Sequence, residues 1–181
     1  MPRSPRVQVA RGAYHVTARG NRQQPVFASS GDHILFLDLF GRVVERYGWR
    51  CLGYCLMPNH YHLLVVIPTP SLSVGIQLLN GRYAQTFNQH HQTSGHLFQG
   101  RFHSVYLERQ SHLLELCRYL VLNPVRGGLC RSAGEWRWSS YRATVGVDSQ
   151  PSFLHVREIL AHFGRDQPTA VRAFRRFVDE G

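Results

Sequence analysis

Lysine occurs nowhere in the 181 residues. Its absence excludes a Walker-type phosphate-binding lysine, a Schiff-base lysine and the ion-pair lysine of protein kinases. Carboxylates are scarce too, 11 in all, and none lies from Arg46 through Leu107. The three that precede this stretch, Asp32, Asp38 and Glu45, fall on one expected helix, so a carboxylate-rich two-metal nuclease site is hard to build here. The four cysteines, Cys51, Cys55, Cys117 and Cys130, have no C-x-x-C spacing and read as buried thiols. Apolar runs such as Leu63 to Ile67 are too short to cross a bilayer. The basic opening from Met1 to Arg6 lacks the apolar stretch of a secretory signal, so the expectation is a cytoplasmic protein without a membrane partner. There is no internal repeat and no low-complexity segment.

What the chain does have is arginine: all 21 basic residues are Arg, against 11 acidic ones, for a formal charge of +10. A high-GC genome explains the choice of Arg over Lys but not the excess of ten. A planar, permanently charged fork suits phosphate, so nucleic acid is the first partner to consider. With 43% hydrophobic and 18% charged residues the chain belongs among folded proteins. Its length fits one ordinary domain, or one domain with a short helical appendage.

Hydrophobic patterning predicts a strand over Tyr14 to Arg19, closed by Gly20-Asn21, and an amphipathic helix from Gly31 to Gly48. Two strand-like runs, Arg50 to Leu56 and His60 to Ile67, flank Met57-Pro58-Asn59 as a hairpin. A second helix is expected from Ser73 to about Gln89, and a fourth strand from Arg101 to Leu107. The order β-α-β-β-α-β is the ferredoxin-like, α+β arrangement: an antiparallel sheet with two helices on one face and the other face available. A third helix, Ser111 to Leu122, should end at Asn123-Pro124. Two short helices, Phe153 to Phe163 and Pro168 to Val178, make a helical tail.

With carboxylates missing, histidine must supply any metal chemistry. His60 and His62 lie two apart on a strand, so both imidazoles leave one face, a bidentate platform for a divalent cation. Two unrelated strand histidines would show the same spacing. On the third helix His112, Glu115, Tyr119 and Asn123 form one polar stripe, opposite Leu113, Leu116, Cys117, Leu120 and Val121. Asn123 can complete a His-His-Asn site with the Tyr119 phenol one turn away. A free phenol, titrating near pH ~10, is a weak nucleophile without a nearby cation or base, and Tyr119 also reads as an ordinary half-buried helix tyrosine. Tyr61 points away from the His60/His62 face by alternation. A rival reading joins Cys51, Cys55, His60 and His62 as a zinc site, although structural zinc sites usually draw ligand pairs from turns.

Met57-Pro58-Asn59-His60-Tyr61-His62-Leu63-Leu64 resembles the H-hydrophobic-H motif of the single-tyrosine HUH transposases, with Tyr61 in the middle position. The run from Tyr119 to Leu129 is similar to the nucleophile helix of the REP-associated tyrosine transposases within that family. So are Tyr14 to Asn21, Gly95 to Arg101 and Trp138-Ser139-Ser140-Tyr141. The resemblance spans about residues 12 to 145. It implies a transposase or nuclease domain over residues 1–145 and a helical tail over 146–181. It also implies a metal-dependent strand transferase acting on single-stranded or hairpin DNA, as monomer or homodimer, through a 5′-phosphotyrosine. In that reading Tyr119 is the nucleophile, and His60, His62 and Asn123 hold Mg²⁺ or Mn²⁺. Arg19, Asn21 and Arg22 read the flanking strand, and Arg101, His103 and Arg126 contact DNA. A non-catalytic nucleic-acid-binding protein on the same sheet, reading a DNA hairpin or RNA, is the alternative of another class.

Overall fold

The computed structural model describes residues 8–108 and 110–181. Four strands, β1 (Ala13–Arg19), β2 (Arg50–Met57), β3 (His60–Val66) and β4 (His103–Leu107), lie in the order β2-β3-β1-β4 with every neighbour antiparallel. Helices α1 (Ser30–Tyr47) and α2 (Leu72–His90) make the two crossovers, which completes the ferredoxin-like order expected from the sequence. The chain continues through α3 (Gln110–Arg126), α4 (Tyr141–Thr144), α5 (Val156–Leu160) and α6 (Gln167–Asp179).

Helix α1 begins with a capping box, in which Ser29 accepts from the Asp32 amide and the Asp32 carboxylate accepts from the amide of Ser29. It ends at Gly48, whose φ of 62° suits glycine. The face of the sheet that carries Tyr61 packs under α1 and α2. Tyr61 meets Phe36 of α1, and its hydroxyl donates to Asn80 of α2 at 2.7 Å. Val16 and Ala18 pair with Leu63 and Tyr61 and complete this buried layer. The two helices converge at Gly75, where an added Cβ would stand 2.4 Å from the Trp49 ring and 3.3 Å from Val43.

The opposite face, expected to stay available, is partly covered by α3. Leu113, Cys117, Leu120 and Val121 are buried while Tyr119 remains 39% exposed, so the polar stripe read from the sequence is real. The helix differs from expectation at its end, where it runs through Pro124 to Arg126 rather than stopping at Asn123. Proline removes one backbone hydrogen bond from a helix interior. Here Leu120, Val121 and Pro124 are buried against the domain, and the last carbonyls are capped by Gly127 N to Asn123 O and Leu129 N to Pro124 O. Tertiary packing therefore outweighs the local stop signal.

Strand β4 also starts later than expected. Arg101 precedes it, in a turn made at Gly100 (φ 107°), because residues 97–99 have already paired with the exit of β1. Gly20 bridges Phe98, Asn21 N donates to Leu97 O, and Gln99 N donates to Arg19 O. In the tail, the expected helix from Phe153 shrinks to α5, since residues 154–155 pair with Cys51 on the outer edge of β2. Residues 138–140 close the rest of that edge through Cys55, Leu56 and Tyr54. Phe174 and Val178 of α6 join the same core. No described helix is long and apolar enough to cross a membrane.

Gly75→Ala should lower stability by about 1–3 kcal/mol, because the rings it would strike are buried and the gain in helix propensity is only about 1 kcal/mol. Gly81→Ala on the same helix, with nothing within 4 Å of the added carbon, should instead raise stability by up to about 1 kcal/mol. Urea midpoints of the two variants should move in opposite directions.

Candidate active site

Strand pairing sets Thr17 opposite His62 and Arg19 opposite His60. The two rings meet with centroids 4.9 Å apart, and Tyr119 of α3 stands edge-on to His62 at 5.8 Å. The Arg126 guanidinium lies 5.4 Å over the Tyr119 ring. A cleft of about 440 Å³ opens beside this cluster, lined by Thr17, Arg19, His60, His62, Gln99, Arg101 and His103 among others. Arg101 thus reaches the cleft from the Gly100 turn rather than from a strand. Asn21 and Arg22 lie outside that lining, on the exposed turn that follows β1, where Arg22 (φ 51°) and Gln23 (φ 62°) are consecutive left-handed residues. Asn59 in the β2–β3 turn holds them by donating to the Gln23 carbonyl.

Among the described residues three buried side-chain atoms lack a hydrogen-bond partner: His33 Nε2, His62 Nε2 and Asn123 Nδ2. Such orphans call for an explanation, and two of the three belong to the set expected to hold a cation. Rotating the Asn123 amide by 180° exchanges its nitrogen for an oxygen at the orphaned position. Burial, aided by the neighbouring imidazoles of His60 and His15, pushes His62 down to about 3. Burial also lowers His60, with the Arg19 charge adding to it. Neutral imidazole is the form that binds metal. Two neutral imidazoles and an amide are a donor set that a divalent cation can accept.

His15 was missed at the level of sequence. It sits on β1 diagonal to His62, its Nε2 lies 2.9 Å from His62 Nδ1, and its ring faces Tyr119 edge-on at 6.4 Å. Burial, then the nearby His103, pushes it down to about 4. Alternation from Thr17 was the available signal, but it needed β1 to be known as the neighbour of β3. The zinc reading fails on geometry. A bulge between Cys51 and Gly53 breaks the alternation that would align Cys51 with Cys55, and among the described residues no group of three or more His, Cys, Asp or Glu that includes the cysteines is arranged to hold a metal ion. Burial instead raises the Cys51, Cys55 and Cys117 thiols, which stay protonated as expected.

An antiparallel sheet of this order, with an H-x-H strand facing a helix-borne tyrosine, is the arrangement of the single-tyrosine transposases that the sequence resembles. The family described as Transposase IS200 like matches residues 8–122, more than half the chain, and the protein belongs to that family of DNA-transposing enzymes. A Haemophilus influenzae protein named "Putative REP-associated tyrosine transposase" is 24% identical over 128 residues, covering 64% of this chain and 72% of its own. The structure of a REP-associated tyrosine transposase bound to a REP hairpin has the same fold, with a TM-score of 0.69 over 86% of this chain and 92% of that one, at 16% identity. The tRNA(His) guanylyltransferase of Saccharomyces cerevisiae also shares the fold, with a TM-score of 0.51 over 97% of this chain and 82% of that one, at 10% identity.

Beside the site, His33 is stacked between Phe27 and Trp138 and donates from Nδ1 to Ser29 O. Burial lowers its pKa below the ordinary value of 6.5. The unfolded chain therefore takes up a proton before the folded one does, and the stability held above about pH 6.5 is lost as the pH falls through the folded value. His33→Phe keeps the stack and removes the proton site. Its urea stability should fall less steeply with acidification below pH 6.5 than that of the wild type, by up to about 1.4 kcal/mol per pH unit, the slope of one proton.

Proposed function

We propose that this transposase is a metal-dependent strand transferase that cleaves single-stranded DNA beside a hairpin, with Tyr119 as nucleophile. The observation that carries the reading is the buried, unpartnered His62 Nε2 in a cleft lined by Arg19 and Arg101, with the Tyr119 ring edge-on to His62 and a second unpartnered atom, Asn123 Nδ2, one turn along α3 from Tyr119. The hairpin enters by analogy with the REP-bound relative of the same fold.

In this reading the Tyr119 hydroxyl attacks a backbone phosphorus, the bond to the 3′ oxygen breaks, and the proton lost by the phenol to solvent is matched by one that solvent gives to the departing 3′ oxygen. The products are a 5′-phosphotyrosine and a free 3′-hydroxyl, whose return attack reverses the step. His60, His62 and the Asn123 amide would hold Mg²⁺ or Mn²⁺, which supplies Lewis-acid stabilisation of charge on a non-bridging oxygen. Arg126, stacked on Tyr119, fixes the ring and adds positive charge beside the attacking oxygen. Arg19, Arg101 and His103 contact phosphates along the cleft, while Asn21 and Arg22 on the rim turn read the flanking bases.

Incubation with a 5′-flanked hairpin oligonucleotide and Mn²⁺ should give a denaturant-resistant protein–DNA adduct. Tyr119→Phe should eliminate it while retaining hairpin binding, since one hydroxyl is all that changes. An adduct that persists and maps to another tyrosine defeats the assignment. If the wild type gives none on any hairpin, the protein is a non-catalytic binder.

The two arginine–phosphate contacts, Arg19 and Arg101, predict that log Kd for single-stranded substrate changes with log salt with a slope of about 1.4, and that Arg101→Ala reduces this slope by about 0.7. A flat salt response removes phosphate contacts from the reading.

A further inference from the structure

We infer that Asn59 and His15 are positioning residues that set the ring tautomers of His60 and His62, so that both histidines turn an Nε2 lone pair toward the candidate cation site. The role toward a cation rests on the metal reading above; the tautomers follow from hydrogen-bond logic alone.

For His60 the chain of reasoning starts one residue away. The Gln23 carbonyl can only accept, so the Asn59 atom bonded to it at 3.2 Å is the amide nitrogen. The amide oxygen therefore faces His60 Nδ1 at 2.7 Å. An amide oxygen only accepts, which requires the proton of neutral His60 to sit on Nδ1. Nε2 is then the free lone pair. Asn59 itself is anchored because its own carbonyl accepts from Gly20 N. Any Cβ at Gly20 would fall 2.0 Å from the Gln24 carbonyl, so this turn follows one path.

For His62 the partner is a second imidazole. His15 Nε2 and His62 Nδ1 are 2.9 Å apart, with the rings 15° from parallel, and one of the two nitrogens must donate. If His15 donated, His62 would carry its proton on Nε2, a buried N–H with no acceptor. Orphaned donors of that kind are rarer than under-used acceptors. The favoured arrangement has His62 donate from Nδ1, with the proton of His15 on its own Nδ1. The two strand histidines thus share one tautomer, each imposed by a neighbour on a different element: the β2–β3 turn for His60, and β1 for His62. Acceptors of this kind behind ligating histidines fix ring orientation and basicity, and their loss typically weakens metal binding about 10–100-fold.

Long-range ¹H–¹⁵N correlation spectra of the full-length, metal-free protein near neutral pH read the tautomers directly. His60 and His62 should both appear as Nδ1–H. In His15→Phe the His62 signals should move toward the Nε2–H pattern while those of His60 stay. Asn59→Ala should do the converse. His15→Gln and Asn59→Asp, which keep an accepting oxygen, should restore the wild-type pattern. Titration with Mn²⁺ alone, followed by its paramagnetic broadening of the two rings, should show affinity about 10–100-fold weaker in His15→Phe and Asn59→Ala, with an unchanged far-UV circular dichroism spectrum as the check on folding. Nε2–H at either histidine in the wild type, or tautomers unmoved by the substitutions, overturns the inference. Mn²⁺ affinity unchanged in both variants overturns the positioning role. A wild type that has the stated tautomers but takes up no Mn²⁺ defeats the metal reading and leaves the tautomer assignment supported.

Discussion

The pairing of β1 with β3, from Ala13 opposite Val66 to Arg19 opposite His60, decides which side chains share a face, and the cleft exists only in that register. A slip by one residue would exchange the faces of a strand. His60 and His62 would then turn toward Phe36 and Tyr83 in the apolar layer, and Tyr61 would face α3. The register is secured because one face is almost wholly apolar: Val16, Leu63, Tyr61 and Phe36 are all buried there. Core burial and site geometry are therefore one constraint, paid for by the same residues.

The second dependence is electrostatic. Around the cleft there are arginines and the neutral imidazoles of His15, His60 and His62, but no carboxylate from Arg46 through Leu107. Carboxylate ligands would cancel the charge of a cation they held, whereas neutral donors leave it for a phosphate. Burial is what keeps these imidazoles neutral, since the charged form loses its hydration there. Asp32, a conspicuous buried acid, is separately engaged with His91 and the capping amides at the start of α1.

How much of this was legible in the sequence depended on how local each cause was. Period-two and period-3.6 patterns are local, and they correctly separated Tyr61 from His60 and His62 and gathered Tyr119 with Asn123 on one stripe. Features set by distant contacts were misread or missed. Pro124 looked like a helix end because the buried Leu120 and Val121 that carry α3 past it act through tertiary packing. Arg101 looked like strand because the bridge from Phe98 to Gly20 comes from another part of the chain. The Cys51–Cys55 face was broken by a bulge, and Phe153 left its expected helix to lie against Phe40 and Tyr54. His15 was hidden for the same reason: a histidine near the start of a chain gains meaning only when strand order brings it beside another.

The two edges of the sheet explain why the cleft lies where it does. The β2 edge is sealed by residues 138–140 and 154–155, so no extended strand can add there. At the other side β4 is short, and His103, Val105 and Tyr106 are exposed along it. Between β1 and β4 the ladder stops at Thr17–His103, then resumes beyond the Gly100 turn at Gly20–Phe98. That interruption opens the sheet surface next to His60 and brings Gln99 and Arg101 to its border. A shared fold does not by itself assign a site, and a tRNA guanylyltransferase has the same overall architecture. In this chain the site depends on a local break in the β1–β4 ladder, placed beside two histidines whose orientation is set from the neighbouring turn and strand.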